Sequence, residues 1–157
     1  MPRTLIIGYG NPLRGDDAVG YLAAERLLQR IHDPDIEVLA VQQLTPELME
    51  PVSQADRVIF IDASAEGEPG TILATPVESD PAPGPALTHF ATPGALLAGV
   101  QALYEKAPAA MLICIAGRDF AIGDRLSEPV QLALEDLLQS QMSGIVAKWS
   151  PPPALCL

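Results

Sequence analysis

The chain has 157 residues, a length typical of one globular domain. Hydrophobic residues make up 48% of it and aromatic residues only 4%, so we expect a core of mainly aliphatic side chains. Twenty acidic residues against nine basic ones give a formal net charge of −11, which argues against nucleic acid or an anionic membrane as a partner, because both are bound through basic side chains.

The cysteines and the lengths of the apolar runs indicate the cellular compartment in which the protein is expected. Cys114 and Cys156 form no CxxC pair, so we expect neither a zinc ribbon nor a disulfide scaffold. Cys114 lies in the apolar run MLICIA and is expected to be a buried core thiol. No apolar run reaches the ~18 residues of a membrane span, and the run in MPRTLII is too short for a signal peptide. We therefore expect a cytoplasmic protein with no membrane contact.

Strand-like and helix-like apolar patterns alternate along the chain. Strands are predicted at residues 4–8, 37–41, 57–61, 71–77 (at an edge) and 111–116. Helices are predicted at Val19–Arg30, from Thr45-Pro46-Glu47 onward, at Pro93–Tyr104, and from Ser127-Glu128-Pro129 onward, with a proline-rich loop over residues 78–88. This alternation predicts a single domain over residues 1–148, a three-layer α/β sandwich with a mostly parallel central sheet. Residues 149–157, WSPPPALCL, are expected to form a proline-rich tail.

The stretch GYGNPLRGDDAVG, residues 8–20, follows the first predicted strand and resembles a nucleotide-binding turn. The dinucleotide fingerprint requires a third glycine, however, and that position is Leu13. Asp16 and Asp17 also stand where a phosphate would approach, and carboxylates repel phosphates. A nucleotide site is therefore disfavoured.

A metal site is a better match to the polar residues near the strand ends. Asp17 follows the first strand, Asp62 closes the third, and the carboxyl ends of parallel strands share one edge of the sheet. His89 follows the proline-rich loop, from where it can reach the same edge. Two carboxylates and one imidazole suit borderline divalent ions. Structural alternatives stay open: Asp16 and Asp17 as helix caps, Asp62 as a turn residue, and His89 as a surface residue.

Five segments taken in chain order resemble the maturation endopeptidases of nickel-iron hydrogenases. They are GYGNPLRGDDAVG, QLTPEL, RVIFIDAS, THFATPGALLA and MLICIAGRDFAIGDRLS, and the first, with its G-x-G-N-x-L-x-x-D-[DE]-x-x-G signature, is the most specific. The resemblance implies a phosphorylase/hydrolase-like α/β fold. It also implies an aspartyl-type peptidase that removes a C-terminal extension from the hydrogenase large-subunit precursor after nickel insertion.

The resemblance further implies that Asp17, Asp62 and His89 are the catalytic and metal-binding residues. The nickel would be supplied by the precursor, with cadmium or zinc as substitutes in vitro. The glycines would let the backbone turn and leave room for a protein substrate. Asp16 would orient the loop or cap the helix, while Asn11 would bond backbone groups of the turn. Either the metal polarises the scissile carbonyl or it activates a water molecule, with a carboxylate moving protons.

Two other functions compete with the endopeptidase. A non-catalytic nickel-binding checkpoint protein would hold the precursor without cutting it and would use the same three ligands. A nucleotide-binding α/β domain is the third hypothesis. The order of the matched segments favours the endopeptidase.

Overall fold

The computed structural model describes residues 3–80, 92–142 and 144 of the chain. The tail expected at residues 149–157, the domain boundary at residue 148 and most of the proline-rich loop lie outside these ranges. His89 lies outside them as well.

Five strands form one sheet in the order β2-β1-β3-β5-β4. They are β1 Thr4–Tyr9, β2 Ile36–Val41, β3 Arg57–Ser64, β4 Ile72–Val77 and β5 Ala109–Ala116. The first four strands in this spatial order are parallel, whereas β4 pairs with β5 in the antiparallel sense and forms an edge. The predicted mostly parallel sheet and the predicted edge strand are both confirmed.

Helices cover both faces of the sheet, so the predicted three-layer sandwich is also confirmed. They are α1 Val19–Arg30, α2 Met49–Gln54, α3 Pro93–Tyr104 and α4 Glu128–Asp136, which continues as a π-helical turn, Leu137–Gln141. Short 3-10 turns, Gly15–Ala18 and Pro46–Leu48, lead into α1 and α2. None of the helices in the described ranges has the length and apolar character needed to cross a bilayer.

Alternation along the buried strands divides the core in two. On one face Ile6, Ile59 and Ile113 pack with side chains of α1 and α4. On the other face Ile7 and Phe60 pack with side chains of α2 and α3. All six residues of β1 are buried, as expected for a strand covered on both sides.

Strand β3 is longer than predicted and changes the position of Asp62. The sequence places the strand end just before Asp62, whereas β3 continues to Ser64. The reason is the neighbouring strand, because Ala63 and Ser64 pair with Ile115 and Ala116 of β5 and so remain extended. Asp62 therefore lies inside the strand, near its carboxyl end, and its side chain direction is set by the pleat.

Candidate active site

A row of side chains crosses the sheet near the carboxyl ends of β1, β3 and β5. Cys114 of β5 is the register partner of Asp62 in β3. Tyr9 of β1 follows Gly8, which is the partner of Ile61. Since register partners point to the same side, Tyr9, Asp62 and Cys114 lie side by side on the face covered by α2 and α3.

The Asp62 carboxylate is held by one hydrogen bond to each oxygen. The Tyr9 hydroxyl donates to Oδ2 at 2.9 Å, and the backbone N–H of Ala63 donates to Oδ1 at 2.7 Å. A carboxylate offers about four acceptor positions, so each oxygen keeps a lone pair for a further partner. The orientation of Asp62 is thus fixed while its capacity to bind a cation or a proton remains.

Burial determines the protonation behaviour of this row. Burial raises the pKa of Asp62 and the nearby Asp17 charge adds to the rise, although the hydrogen bonds from Tyr9 and Ala63 oppose it. Burial and the Asp62 charge raise the pKa of the Tyr9 phenol, which therefore stays a donor. The same two causes raise the pKa of the Cys114 thiol. Cys114 is half-buried and lies beside Asp62, whereas the sequence predicts a buried core thiol.

Asp17 reaches the same region from the 3-10 turn that precedes α1. Its Oδ2 accepts a hydrogen bond of 2.9 Å from the backbone N–H of Asn11. The Asn11 side chain in turn accepts from the N–H of Leu13 at 2.9 Å, as the sequence predicts for this turn. The Asp17 charge acts on the pKa of Asp62, so the structure brings the two predicted carboxylates together.

Asp16 is inaccessible to solvent and has a different role from its neighbour. Its carboxylate accepts the backbone N–H groups of Arg118, Asp119 and Ser127 at 2.7–3.0 Å and the Ser127 hydroxyl at 2.7 Å. Burial alone would raise the pKa of Asp16, but these hydrogen bonds outweigh burial and lower it. Asp16 therefore orients the loop, and no side chain caps α1.

The glycines of the motif serve close packing inside the protein. A Cβ at Gly8 would collide with the carbonyl of Gly20 in α1, and one at Gly10 would collide with the carbonyl of Asp17. The expectation that these glycines leave room for a substrate is therefore wrong, because the chain itself fills the space.

His89 falls in residues 81–91, outside the described residues, so its approach to the two acids stays a prediction. Within the described ranges, no group of three or more His, Cys, Asp or Glu side chains is arranged to hold a metal ion. Asp17 and Asp62 alone would offer a metal ion two carboxylates, so the predicted site would need a further ligand. The donor chemistry of two carboxylates and one imidazole agrees with a borderline divalent ion such as nickel.

The sequence reasoning missed Tyr9 and Ser127 as parts of the site and its support. Tyr9 occupies the variable position of the G-x-G motif, and its signal is chemical, since a buried tyrosine hydroxyl needs a polar partner. The sequence around Ser127 predicts only the start of a helix. Arg118 and Asp119, just after β5, donate their backbone N–H groups to Asp16.

Comparisons with known proteins agree with this architecture. No family model matches the chain. The Hydrogenase 2 maturation protease of Escherichia coli K12 is 36% identical over 83 residues, a stretch that covers 51% of this chain and 51% of that protein. The matched region thus spans about half the length of this curated relative.

Solved structures match over nearly the whole length. The hydrogenase maturating endopeptidase HybD from E. coli is 25% identical with a TM-score of 0.74, covering 92% of this chain and 93% of that chain. The hydrogenase maturation protease HycI from Thermococcus kodakarensis KOD1 is 24% identical with a TM-score of 0.74, covering 93% of each chain, and supports the fold alone. The predicted resemblance to the hydrogenase maturation endopeptidases is confirmed.

Proposed function

We propose that this chain, which resembles the hydrogenase maturation endopeptidases in sequence and fold, is itself such an endopeptidase. Its substrate is the large-subunit precursor of a nickel-iron hydrogenase, and the reaction removes the C-terminal extension after nickel insertion. The precursor supplies the nickel, so the enzyme needs no resident metal. We expect this processing to take place in the cytoplasm.

The observation that carries the proposal is the pair of carboxylates at one edge of the sheet. Asp17 and Asp62 come from segments 45 positions apart, and each is oriented by a separate hydrogen-bond network. Both carboxylates lie in segments, GYGNPLRGDDAVG and RVIFIDAS, that carry the family resemblance. Two carboxylates near enough for the charge of Asp17 to act on the pKa of Asp62 support cation recognition in this region.

The physical state of Asp62 supports a role in recognising a positively charged centre. Burial and the Asp17 charge raise the pKa of Asp62, so the free charge on its carboxylate is disfavoured and its neutralisation by a bound positive centre is favourable. Together with His89, the two carboxylates would bind the nickel of a correctly loaded precursor and make cleavage conditional on that loading. Hydrolysis then adds water across the scissile amide and releases the extension with a new amino terminus.

The test is a cleavage assay on the nickel-loaded precursor, read as the intact mass of the large subunit. Wild type is expected to shorten the precursor by the mass of the extension. Asp17→Asn, Asp62→Asn and His89→Ala are each expected to slow cleavage by at least about a hundredfold, because each removes a ligand. Asp124→Asn is the matched control, an exposed aspartate outside the site, and is expected to cut at the wild-type rate.

Each result of this assay has a distinct meaning. If wild type binds the loaded precursor and leaves its mass unchanged, the protein is a checkpoint and the peptidase proposal is wrong. If the three variants cut as fast as Asp124→Asn, the activity stands and the assigned site is wrong. A companion measurement of melting temperature with Cd²⁺ or Ni²⁺ should show a rise for wild type that the three variants lose.

A further inference from the structure

Leu13 and Ile122 are apolar side chains that the fold holds in solvent beside the candidate site. Leu13 is 64% exposed and Ile122 is 88% exposed. Neither belongs to the two core clusters. Single exposed apolar residues are common on protein surfaces and need no explanation. Leu13 and Ile122 are informative only if they are adjacent in space.

The two residues are neighbours although they are 109 positions apart in sequence. Arg14 and Gly123 form a parallel bridge, so the residues just before them, Leu13 and Ile122, occupy adjacent positions on the two loops. The N–H of Gly123 donates to the carbonyl of Leu13 at 2.9 Å, and the N–H of Gly15 donates to the carbonyl of Gly123 at 3.0 Å. The backbone pairing therefore puts Leu13 and Ile122 at adjacent positions, and these two exposed residues are called the apolar patch.

The patch is fixed in place by the buried carboxylate next to it. Asp16 accepts four hydrogen bonds from residues 118–127, and its own N–H donates to the carbonyl of Asp119 at 2.8 Å. Burying a carboxylate is costly unless its oxygens are bonded in this way. The buried Asp16 carboxylate thus holds together the two loops that expose Leu13 and Ile122.

The position of the patch connects it to the chemistry. Asn11, two residues before Leu13, donates its N–H to the Asp17 carboxylate. The N–H of Leu13 in turn donates to the Asn11 side chain, so the loop that carries Leu13 adjoins Asp17 and would lie next to a partner bound there. A second copy of this chain seated there would block access to Asp17, so the substrate itself is the better match.

We propose that Leu13 and Ile122 are a docking surface for an apolar patch on the folded large-subunit precursor, close to the bond that is cut. This inference rests on the proposed function. A substrate that is recognised only after nickel insertion is a folded protein, and binding it needs contacts beyond the scissile peptide. Two adjacent aliphatic side chains, buried on binding, provide such a contact.

The test compares Leu13→Ser, Ile122→Ser and the double variant with wild type in cleavage of the nickel-loaded precursor. Each single variant is expected to raise KM about tenfold with kcat unchanged, because it removes binding that is equal in the ground and transition states. Melting temperature is expected to stay at the wild-type value. Leu132→Ser on α4, where the leucine is 63% exposed, is the matched control and should leave KM unchanged.

A KM change no larger than that of Leu132→Ser would overturn the inference. So would a wild-type dimer in sedimentation that the double variant converts to monomers, since the patch would then be a self-association surface. Direct binding of the precursor, measured in an Asp62→Asn background, separates the two proposals. If wild type never cuts but the loaded precursor still binds and loses affinity in the double variant, the docking surface stands and the peptidase proposal fails.

Discussion

The adjacent residues Asp16 and Asp17 have different roles because their side chains point in different directions. Asp16 points inward, accepts four hydrogen bonds from backbone and hydroxyl donors and is inaccessible to solvent, so a ligand cannot reach its carboxylate. Asp17 remains partly accessible and accepts one hydrogen bond from Asn11. The first holds the loops and the second faces the candidate site, which makes their substitutions separable by experiment.

Asp16→Asn is expected to destabilise the fold by about 3 kcal/mol at neutral pH, because an amide nitrogen would face N–H donors that lose their acceptor. The hydrogen bonds lower the pKa of Asp16 in the folded state, so the ionised carboxylate adds stability above the unfolded-state pKa. That contribution is lost as the pH falls through the folded-state pKa. Urea unfolding across the acid range should therefore show the wild type and the variant converging as the pH falls.

A matched substitution gives the control for this pH dependence. Asp119→Asn removes an exposed carboxylate that accepts a local hydrogen bond from the N–H of Ala121. Its free energy of unfolding should follow the wild type within about 0.5 kcal/mol. An Asp16→Asn curve that runs parallel to wild type at every pH would contradict the assigned role of Asp16.

Tyr9→Phe tests whether the phenol positions Asp62. The hydrogen bond from Tyr9 lowers the pKa of Asp62 against the effect of burial, so its removal moves the acid limb of the activity profile to higher pH. On the acid side, kcat/KM is expected to fall about tenfold, as for the loss of a hydrogen bond to a charged group. Tyr21→Phe is the control, since Tyr21 also bonds a carboxylate, that of Glu25, away from the site. An unshifted profile would assign Tyr9 to packing alone.

At the scale of elements, the close approach of α1 to the sheet places the 3-10 turn and Asp17 beside β3. Gly20 in the first turn of α1 lies against the carbonyls of Ile61 and Tyr9. Gly8 in β1 lies against the carbonyl of Gly20, so the absence of a side chain on the strand also lets α1 come close. The helix can sit this near to the strand ends only because neither position carries a Cβ.

Gly20→Ala is expected to cost about 3 kcal/mol, because the added methyl group collides with backbone atoms that cannot rotate away. The displacement of α1 would also move Asp17 away from Asp62, so cleavage should fall even below the unfolding temperature. Thermal unfolding and the mass assay measure the two effects. Gly123→Ala is the control, since its Cβ would meet only an ordinary contact at 3.9 Å. Equal stability of the two variants would refute the packing argument.

At the scale of the whole molecule, the net charge of −11 acts on stability as well as on partners. Arg26 and Glu135 form an ion pair in which both side chains are more than a third exposed. Exposed pairs of this kind contribute little. Repulsion between the many carboxylates should therefore outweigh specific ion pairing.

Salt is accordingly expected to stabilise the protein. Raising NaCl from ~10 mM to ~0.3 M shortens the screening length and weakens the repulsion, which should raise the melting temperature by about 2–4 °C. Scanning calorimetry at neutral pH measures this, with an uncharged osmolyte of equal osmolality as the control. A melting temperature that falls with salt would mean that attractive pairs dominate.

The amino-acid sequence by itself determined the order of elements, the mostly parallel sheet, the edge position of β4 and the two acidic segments at one edge. These features are local, because hydrophobic periodicity, β-branched runs and N-terminal prolines each act over a few residues. The resemblance to the hydrogenase maturation endopeptidases also rests on short local segments of the sequence. His89 as the third ligand stays a prediction.

Only the tertiary structure decided the separate roles of Asp16, Asp17 and Asp62. Asp16 is bonded to residues more than 100 positions away, Tyr9 meets Asp62 across 53 positions, and Leu13 adjoins Ile122 through the Arg14–Gly123 bridge. The extension of β3 past Asp62 likewise depends on β5 beside it. Such contacts follow from the packing of distant segments, and no pattern within one segment carries the information that specifies them.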